Sequence, residues 1–238
     1  MPLVSVIIVT CNRPQWLREA VASVVAQALD DWDCMIIDNG DSETGYAYEC
    51  TNVYRYLPAS HFNLTIGAAR NFGAKGSDSD YLLFLDDDDI LKPDALANLL
   101  RPIENRPHLA GSYGYPYLMT GDGKPINEGA PVGKRPHGGL LRLADMAGDA
   151  NMVTPPGCAL IRRSAFEACG GWDESGTVRE SVELFYRLLK IGPMAVVPQT
   201  VIGYRQHAGQ LSRTRNADHA QMERTHARLQ ECLQEVYG

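Results

Sequence analysis

The sequence predicts a single α/β domain: a Rossmann-like, mainly parallel central sheet with helices on both faces. Three observations predict it. Short, continuous apolar runs alternate with segments of helical periodicity through the N-terminal part of the chain. Those runs are apolar at successive positions rather than at every second one, as in strands covered on both faces. The 238 residues, 45% hydrophobic and 21% charged, provide a sizeable core and fit one large domain at roughly 100–200 residues per domain.

Val4 to Thr10 reads as a buried strand. Pro14 to Leu29 reads as a helix: Leu17, Ala20, Val21, Val24, Val25 and Ala28 recur at helical spacing, and Pro14 suits a first turn. Cys34 to Ile37 is a second strand, closed by the turn signal Asp38-Asn39-Gly40-Asp41. A helix over Thr44 to Thr51 and a strand near Val53 to Leu57 follow. Ile66 to Lys75 is helical, with Gly76 as its stop. Tyr81 to Leu85 is the next strand, and Pro93 opens a helix carrying Leu96, Leu99 and Leu100. Beyond Pro102 the alternation loosens. Tyr113 to Met119 and the Gly121-Asp122-Gly123 turn predict a hairpin, and the stretch from Gly129 to Gly139 a mobile loop. Leu140 to Met146 reads as a short helix and Cys158 to Ile161 as a strand. Ser164 reads as the N-cap of a helix that ends at Gly170-Gly171. Val178 to Ile191 is a helix, and Met194 to Val197 and Thr200 to Tyr204 are strands. Ala217 to Val236 is an amphipathic helix with Met222, Leu229, Leu233 and Val236 on one face. No repeat or linker divides the chain.

The formal net charge of -7 argues against nucleic-acid binding, which needs a basic face. The six cysteines form no CxxC pair, which excludes the common zinc and thioredoxin-like motifs. No segment is long enough to span a bilayer. With no signal peptide in view, the expectation is a cytoplasmic protein with reduced thiols, with room for peripheral attachment at the inner membrane face.

The most informative stretch is Tyr81 to Asp89, where five apolar residues run into Asp86-Asp87-Asp88-Asp89. Four adjacent carboxylates repel one another unless water or a cation offsets them. They stand where a buried strand would leave the carboxyl edge of a sheet, the edge at which α/β proteins bind ligands. Carboxylate oxygens suit hard cations such as Mg²⁺ and Mn²⁺. Taken alone, the run reads equally as a solvated turn ahead of a helix N-terminus.

Several separated stretches together resemble the family-2 glycosyltransferases. Val4 to Arg13 is similar to the family's opening strand and loop, and Ile36-Ile37-Asp38-Asn39-Gly40 to its second strand with the nucleotide-binding Asp. Gly67-Ala68-Ala69-Arg70-Asn71-Phe72-Gly73 resembles its G-x-A-R-N-x-G segment, and Asp86-Asp87-Asp88 its DXD motif. Gly157 to Ile161, Phe166 and Gly170-Gly171-Trp172-Asp173-Glu174 resemble its donor-sugar and acceptor region. Tyr204-Arg205-Gln206-His207 resembles its late Y-R-x-H motif. The order matches over nearly the whole chain.

The resemblance implies a single GT-A-type domain. Residues 1–101 would form a nucleotide-sugar-binding half and residues 102–238 an acceptor-binding half. It implies inverting transfer from a nucleoside-diphosphate sugar, with uridine the first choice of base, assisted by Mn²⁺ or Mg²⁺. Thr10, Asn12, Arg13, Asp38, Arg70, Asp86 and Asp87 are implied at the nucleotide, and Asp88 and His207 at the metal. Gly157, Gly171, Trp172 and Glu174 are implied around the donor and acceptor sugars. Asp87 and Asp89 have a second reading as caps of the following helix. Apart from the resemblance, Asp38 reads as a turn residue, Arg70 as an exposed helix arginine and His207 as a surface histidine. His219 and His226 read as solvent-facing.

Two positions depart from the family pattern. The residue after Thr10 is Cys11 where an aromatic ring commonly stacks on the base. The helix that carries Leu184 and Arg187 has Glu180-Ser181 where the family places Glu-Asp, the Asp serving as base. Serine is no ordinary general base, so Glu180 comes first as its replacement, followed by Asp173 and Glu183. Glu183 reads equally as an ion-pair partner of Arg179 or Arg187. Ser181 also motivates the alternative of a nucleotide-sugar-binding pseudoenzyme or partner subunit. A nucleotidyltransferase or dinucleotide-dependent oxidoreductase is disfavoured, because Thr10 to Pro14 contains no glycine. The acceptor class stays open among a saccharide, a small molecule and a lipid-linked glycan.

Overall fold

The computed structural model describes residues 1–40, 52–56, 64–126, 129–132, 139–147, 155–175, 180–210 and 219–237. Strand β1 (Val4–Thr10) is followed by α1 (Pro14–Val25), β2 (Trp32–Asp38), β3 (Val53–Tyr56), α2 (Ile66–Lys75), β4 (Tyr81–Asp86), β5 (Ile90–Leu91) and α3 (Ala95–Leu100). The second part holds β6 (Gly111–Thr120), β7 (Leu140–Leu141), α4 (Leu143–Ala147), a 3-10 turn at Pro156–Cys158, β8 (Ala159–Arg162) and α5 (Arg163–Ala168). It ends with α6 (Glu180–Ile191), β9 (Met194–Gln206) and α7 (His219–Tyr237).

One sheet runs in the order β3-β2-β1-β4-β8-β6-β9-β5, with β7 also on β9. The first four strands are parallel. Beyond β4 the sheet turns mixed: β8 is antiparallel to both β4 and β6, while β6 and β9 are parallel. The apolar runs behave as their composition requires. Val4, Val6, Ile7 and Ile8 of β1 and Leu82, Leu83 and Phe84 of β4 are fully buried, each contributing roughly 1.5–3 kcal/mol if the whole side chain leaves water.

The register sets up the site. Thr10 lies beside Asp38 across β1 and β2, and Val9 lies beside Asp86 across β1 and β4. Three residues marked in the sequence therefore reach the carboxyl edge together. The chain runs from β1 to β2 and β3 on one side and then returns to β4 on the other, so β1 and β4 flank the point where strand order reverses. Such a point opens a crevice at the carboxyl ends of the strands.

Helix α2 matches its expected bounds, with Thr65 capping the Ala68 N–H at 3.2 Å. Other elements differ from expectation. Helix α1 stops at Val25 rather than Leu29, and Gln27 donates to the Ser23 and Lys92 carbonyls beyond its end. The Pro93 segment becomes regular helix only at Ala95. Leu140 and Leu141 form a strand on β9, and the helix starts at Leu143. Ser164 lies inside α5, whose N-cap is Arg162. Met194 to Gln206 is one strand, irregular in register against β6 near Tyr113 to Pro116. The turn after β6 exists, closed by Gly123 N–H to Thr120 O at 2.9 Å, and among the described residues its return arm pairs back through isolated bridges at Pro125 and Pro131 and the Ile126 N–H to Leu118 O bond at 2.7 Å rather than as a regular strand. Strand β9 is the long partner of β6, and β8 pairs with Gly111 to Tyr113. In α7, Cys232 is buried, Leu233 packs partly buried against the core and Val236 is exposed, so the docked face includes Leu233 of the predicted stripe but not Val236; the side chains of Met222 and Leu229 lie outside the described residues. The helix expected over Thr44 to Thr51 and most of the Gly129 to Gly139 loop lie outside the described residues.

Candidate active site

The four carboxylates form the turn between β4 and β5, closed by Asp89 N–H to Asp86 O at 3.1 Å. Each is held differently. Asp86, at the end of β4, accepts from Arg70 Nη2 at 2.5 Å. Asp87 accepts from Thr10 Oγ1 at 2.8 Å and Arg13 Nη1 at 3.1 Å. Asp88 accepts from Arg13 Nη1 at 3.0 Å and pairs with His207 Nε2 at 2.9 Å, both through Oδ2. Asp89 turns inward, and its Oδ1 accepts the Arg205 backbone N–H at 3.0 Å. Its Oδ2 is buried with no hydrogen-bond partner among the described residues. The helix-capping reading of Asp87 and Asp89 is therefore corrected: Asp87 faces the loop after β1 and Asp89 faces β9.

Electrostatics follow from this crowding. Burial, then the charge of Asp88, pushes Asp87 up to about 7, against the pull of Arg13 and Thr10. Burial and the charges of Asp88 and Asp86 push Asp89 well above the carboxylate range. Burial also raises Asp86, although Arg70 opposes it. Asp86, Asp88 and Asp89 each offer an oxygen within 4.8 Å of the others. Hard oxygen donors, an unpartnered buried oxygen and mutual repulsion together fit a divalent cation such as Mg²⁺ or Mn²⁺. The resemblance implied Asp88 and His207 at the metal and Asp86 at the nucleotide; the oxygens that converge are those of Asp86, Asp88 and Asp89.

Strand β9 returns to the turn and delivers Arg205 and His207. Arg205 is 1% exposed. It donates to the Asp88 carbonyl at 2.7 Å, the Gly121 carbonyl at 2.9 Å and Glu19 at 2.6 Å. His207 Nδ1 accepts the Gly209 N–H at 3.2 Å. With Nδ1 accepting, Nε2 is the ring nitrogen placed to donate to Asp88. Trp16 packs on His207 with centroids 4.3 Å apart and lies near the guanidiniums of Arg13 and Arg205. Sequence reasoning overlooked Trp16, Glu19 and Arg205. The late motif contained Arg205, but nothing local announced the other two.

The opposite side is organised by Arg70, which is buried rather than exposed. Its Nη1 donates to Glu180 Oε1 at 2.9 Å while Nη2 holds Asp86. One guanidinium thus joins the acid turn to the first residue of α6. The Trp172 ring lies on Arg70, 4.3 Å from its guanidinium carbon. Burial opposes the charge of Arg70, but Asp86 and Glu180 outweigh it. Asn71, the next residue, holds the Trp172 loop in three ways. It accepts from Trp172 N–H at 2.9 Å and donates to Trp172 O at 2.9 Å and Glu174 Oε1 at 2.8 Å.

The remaining candidates divide. Asp38 is buried and accepts the Gly40 N–H at 3.0 Å, while Asn12 sits beside Gly40 at a left-handed φ of 56°. Gly157 lies beneath the acid turn, where a Cβ would meet Ile202 at 2.5 Å. Gly171 has a φ of 71°, and a Cβ there would press on Asn71 at 2.8 Å. Asp173 closes a turn with Ser175 N–H at 3.1 Å and Ser175 Oγ at 2.6 Å. Glu183 is gripped by Arg187 at 2.6 and 2.7 Å, the ion-pair alternative already open in the sequence. Only Glu180 of the three base candidates connects to the acid turn through a described contact. His226 is exposed as expected.

Fold and site together define a GT-A-type α/β domain with an acid platform at its switch point. The family profile described as Glycosyl transferase family 2 matches residues 5–170. An uncharacterized glycosyltransferase of Rickettsia felis is 25% identical over 220 residues, 89% of this chain and 35% of that protein. The chain thus spans about a third of the length of that relative. The putative teichuronic acid biosynthesis glycosyltransferase TuaG of Bacillus subtilis is 30% identical over 131 residues, 53% of this chain and 52% of that protein. Among solved structures, S. aureus TarS 1-349 in complex with UDP-GlcNAc superposes with a TM-score of 0.69 at 14% identity. That likeness covers 99% of this chain and 73% of TarS 1-349. The chain belongs to glycosyltransferase family 2.

Proposed function

We propose that this chain transfers a sugar, with inversion, from a nucleoside-diphosphate donor to an acceptor hydroxyl. The observation that carries the reading is the Asp86–Arg70–Glu180 bridge. It sets a second, arginine-held carboxylate beside an acid platform suited to a diphosphate. Residues 1–101 would supply the donor side and residues 102–238 most of the acceptor side. Uridine is the first base to test, since TarS binds UDP-GlcNAc. Thr10, Asn12 and Asp38 would hold the nucleoside, and Arg13 and Asp87 the approach to the diphosphate. Asp86, Asp88 and Asp89 would hold a divalent metal, with His207 orienting Asp88. A bound metal would supply positive charge as the diphosphate leaves.

Glu180 would take the acceptor proton as the oxygen attacks the anomeric carbon, with Arg70 fixing its position. Trp172 and Glu174 would wall the sugar pocket from the loop held by Asn71, and Gly157 and Gly171 would keep the backbone close around it. The acceptor, whether saccharide, small molecule or lipid-linked glycan, would meet the same carboxylate. No helix among the described residues is long and apolar enough to cross a membrane, and peripheral attachment at the inner face is the corresponding proposal for a lipid-linked acceptor.

The test is UDP binding with Mn²⁺ and with EDTA, followed by donor turnover on an acceptor panel. Binding should require metal, and Glu180→Gln should lower turnover by roughly 10²–10⁴-fold while UDP affinity stays within about twofold. Metal-independent binding and turnover would sink the proposal. Ser181 favours one second reading, a nucleotide-sugar binder without turnover. Tight metal-dependent UDP binding with no donor consumption would support that reading.

A further inference from the structure

A short ring of contacts crosses the mouth of the acid platform. Arg13 Nη1 lies 3.1 Å from Asp87 Oδ1 and 3.0 Å from Asp88 Oδ2, and its Nη2 lies 3.4 Å from Gly209 O. His207 Nε2 meets the same Asp88 oxygen at 2.9 Å, and Gly209 N–H returns to His207 Nδ1 at 3.2 Å. The loop after β1 is thereby tied to the segment after β9 through one carboxylate oxygen. Asp88 Oδ2 already takes two donors. Asp88 is also one of the three carboxylates that converge within 4.8 Å. Arg13 and a divalent cation therefore compete for the same negative charge.

The two competitors differ in what happens after displacement. Arg13 is a long side chain, 30% exposed, at the N-cap of α1. Released from Asp88, its planar fork remains beside the platform, where a diphosphate would bring new oxygens suited to bidentate pairing.

We propose that Arg13 is a built-in counter-cation that exchanges partners. It neutralises Asp87 and Asp88 in the empty site, yields Asp88 to the metal, and then pairs with the donor diphosphate. This rests on the nucleotide-sugar reading above. Its consequence is opposite signs for two affinities: Arg13 weakens binding of metal alone and strengthens binding of nucleotide with metal. A residue with a merely structural role would not produce that pair.

The experiment measures Mn²⁺ binding by the electron paramagnetic resonance of free Mn²⁺, without nucleotide, for the wild type, Arg13→Gln and Arg13→Lys. UDP is then titrated at saturating Mn²⁺. Arg13→Gln should bind Mn²⁺ roughly tenfold tighter, as expected for removing one adjacent opposite charge, and UDP roughly tenfold weaker. Arg13→Lys, which keeps the charge without the fork, should fall between in both. Trp16 adds a readout in the intact protein: Mn²⁺ alone should change its fluorescence as Arg13 moves, a change lost in Trp16→Phe. Unchanged or weaker Mn²⁺ binding in both Arg13 variants overturns the exchange, as does unchanged UDP affinity. If the wild type binds no UDP while the Mn²⁺ response is as expected, the donor assignment fails and the competition at Asp88 stands.

Discussion

Asp87 is the residue at which the platform's crowding is most measurable. Its folded pKa of about 7 lies above the ordinary 3.8, so the folded state binds the proton more tightly than the unfolded chain. The stability this contributes is fully present below the ordinary value and is lost as pH rises through about 7. Burial shifts Asp86 and Asp89 in the same direction. In EDTA, stability should therefore fall between pH 5 and pH 8, with Asp87 contributing on the order of 2–4 kcal/mol. Denaturant melts of wild type and Asp87→Asn check this: the variant should lose much of the slope and be the more stable protein at pH 8. An equally steep slope in the variant would remove Asp87 as the cause. The sequence made the acid run conspicuous but could not divide its labour. Four identical side chains in a row give no local signal of which points to Thr10, which to His207 and which inward to β9. Glu180 was legible only through its helix register, and its tie to Arg70 spans 110 positions.

At the scale of elements, α2 holds the loop after α5 that the proposed function places at the donor sugar. Asn71 makes three hydrogen bonds to Trp172 and Glu174, and Thr65 Oγ1 adds one to the Glu174 carbonyl at 3.0 Å. Asn71→Ala leaves the buried Trp172 N–H and carbonyl without these partners. It should cost about 2–3 kcal/mol in urea unfolding and raise the KM for donor more than it lowers kcat. A loss below about 0.5 kcal/mol would show that the loop holds its place by other means. Helix α2 was legible in its bounds, with Gly76 marking its stop; its Thr65 cap emerges from the structure. In Leu140 to Met146 the helix was legible but strand β7 at its start was not, because the stretch is too short for its period to separate strand from helix. The single long β9 was hidden by Pro198 and Gln199, which resemble a break between two strands.

For the whole molecule, the arrangement brings like charge together at the reversal of strand order, relieved in part by Arg13 and Arg70 and, in the proposed function, by a metal. The parallel half of the sheet was readable from its continuous apolar runs. The mixed half was not, since antiparallel β8 and edge strand β5 are set by pairings distant in sequence. A cation that binds only the folded state stabilises it by about 2.7 kcal/mol at a hundred times its dissociation constant. Mn²⁺ should therefore raise the melting temperature, UDP alone should not, and the two together should exceed Mn²⁺ alone. Equal stabilisation of an Asp86→Asn, Asp88→Asn double variant would place the metal elsewhere.

The cysteine that follows Thr10 carries a practical consequence. Cys11 is exposed, whereas Cys34, Cys158 and Cys232 are buried, Cys169 is partly covered, and no disulfide joins these five. A thiol reagent should reach Cys11 well before those four. The position next to Thr10 thus becomes a chemical handle on the proposed nucleoside pocket. Protection of Cys11 from alkylation would then map which nucleotide fills that pocket, with Cys11→Ser as the blank.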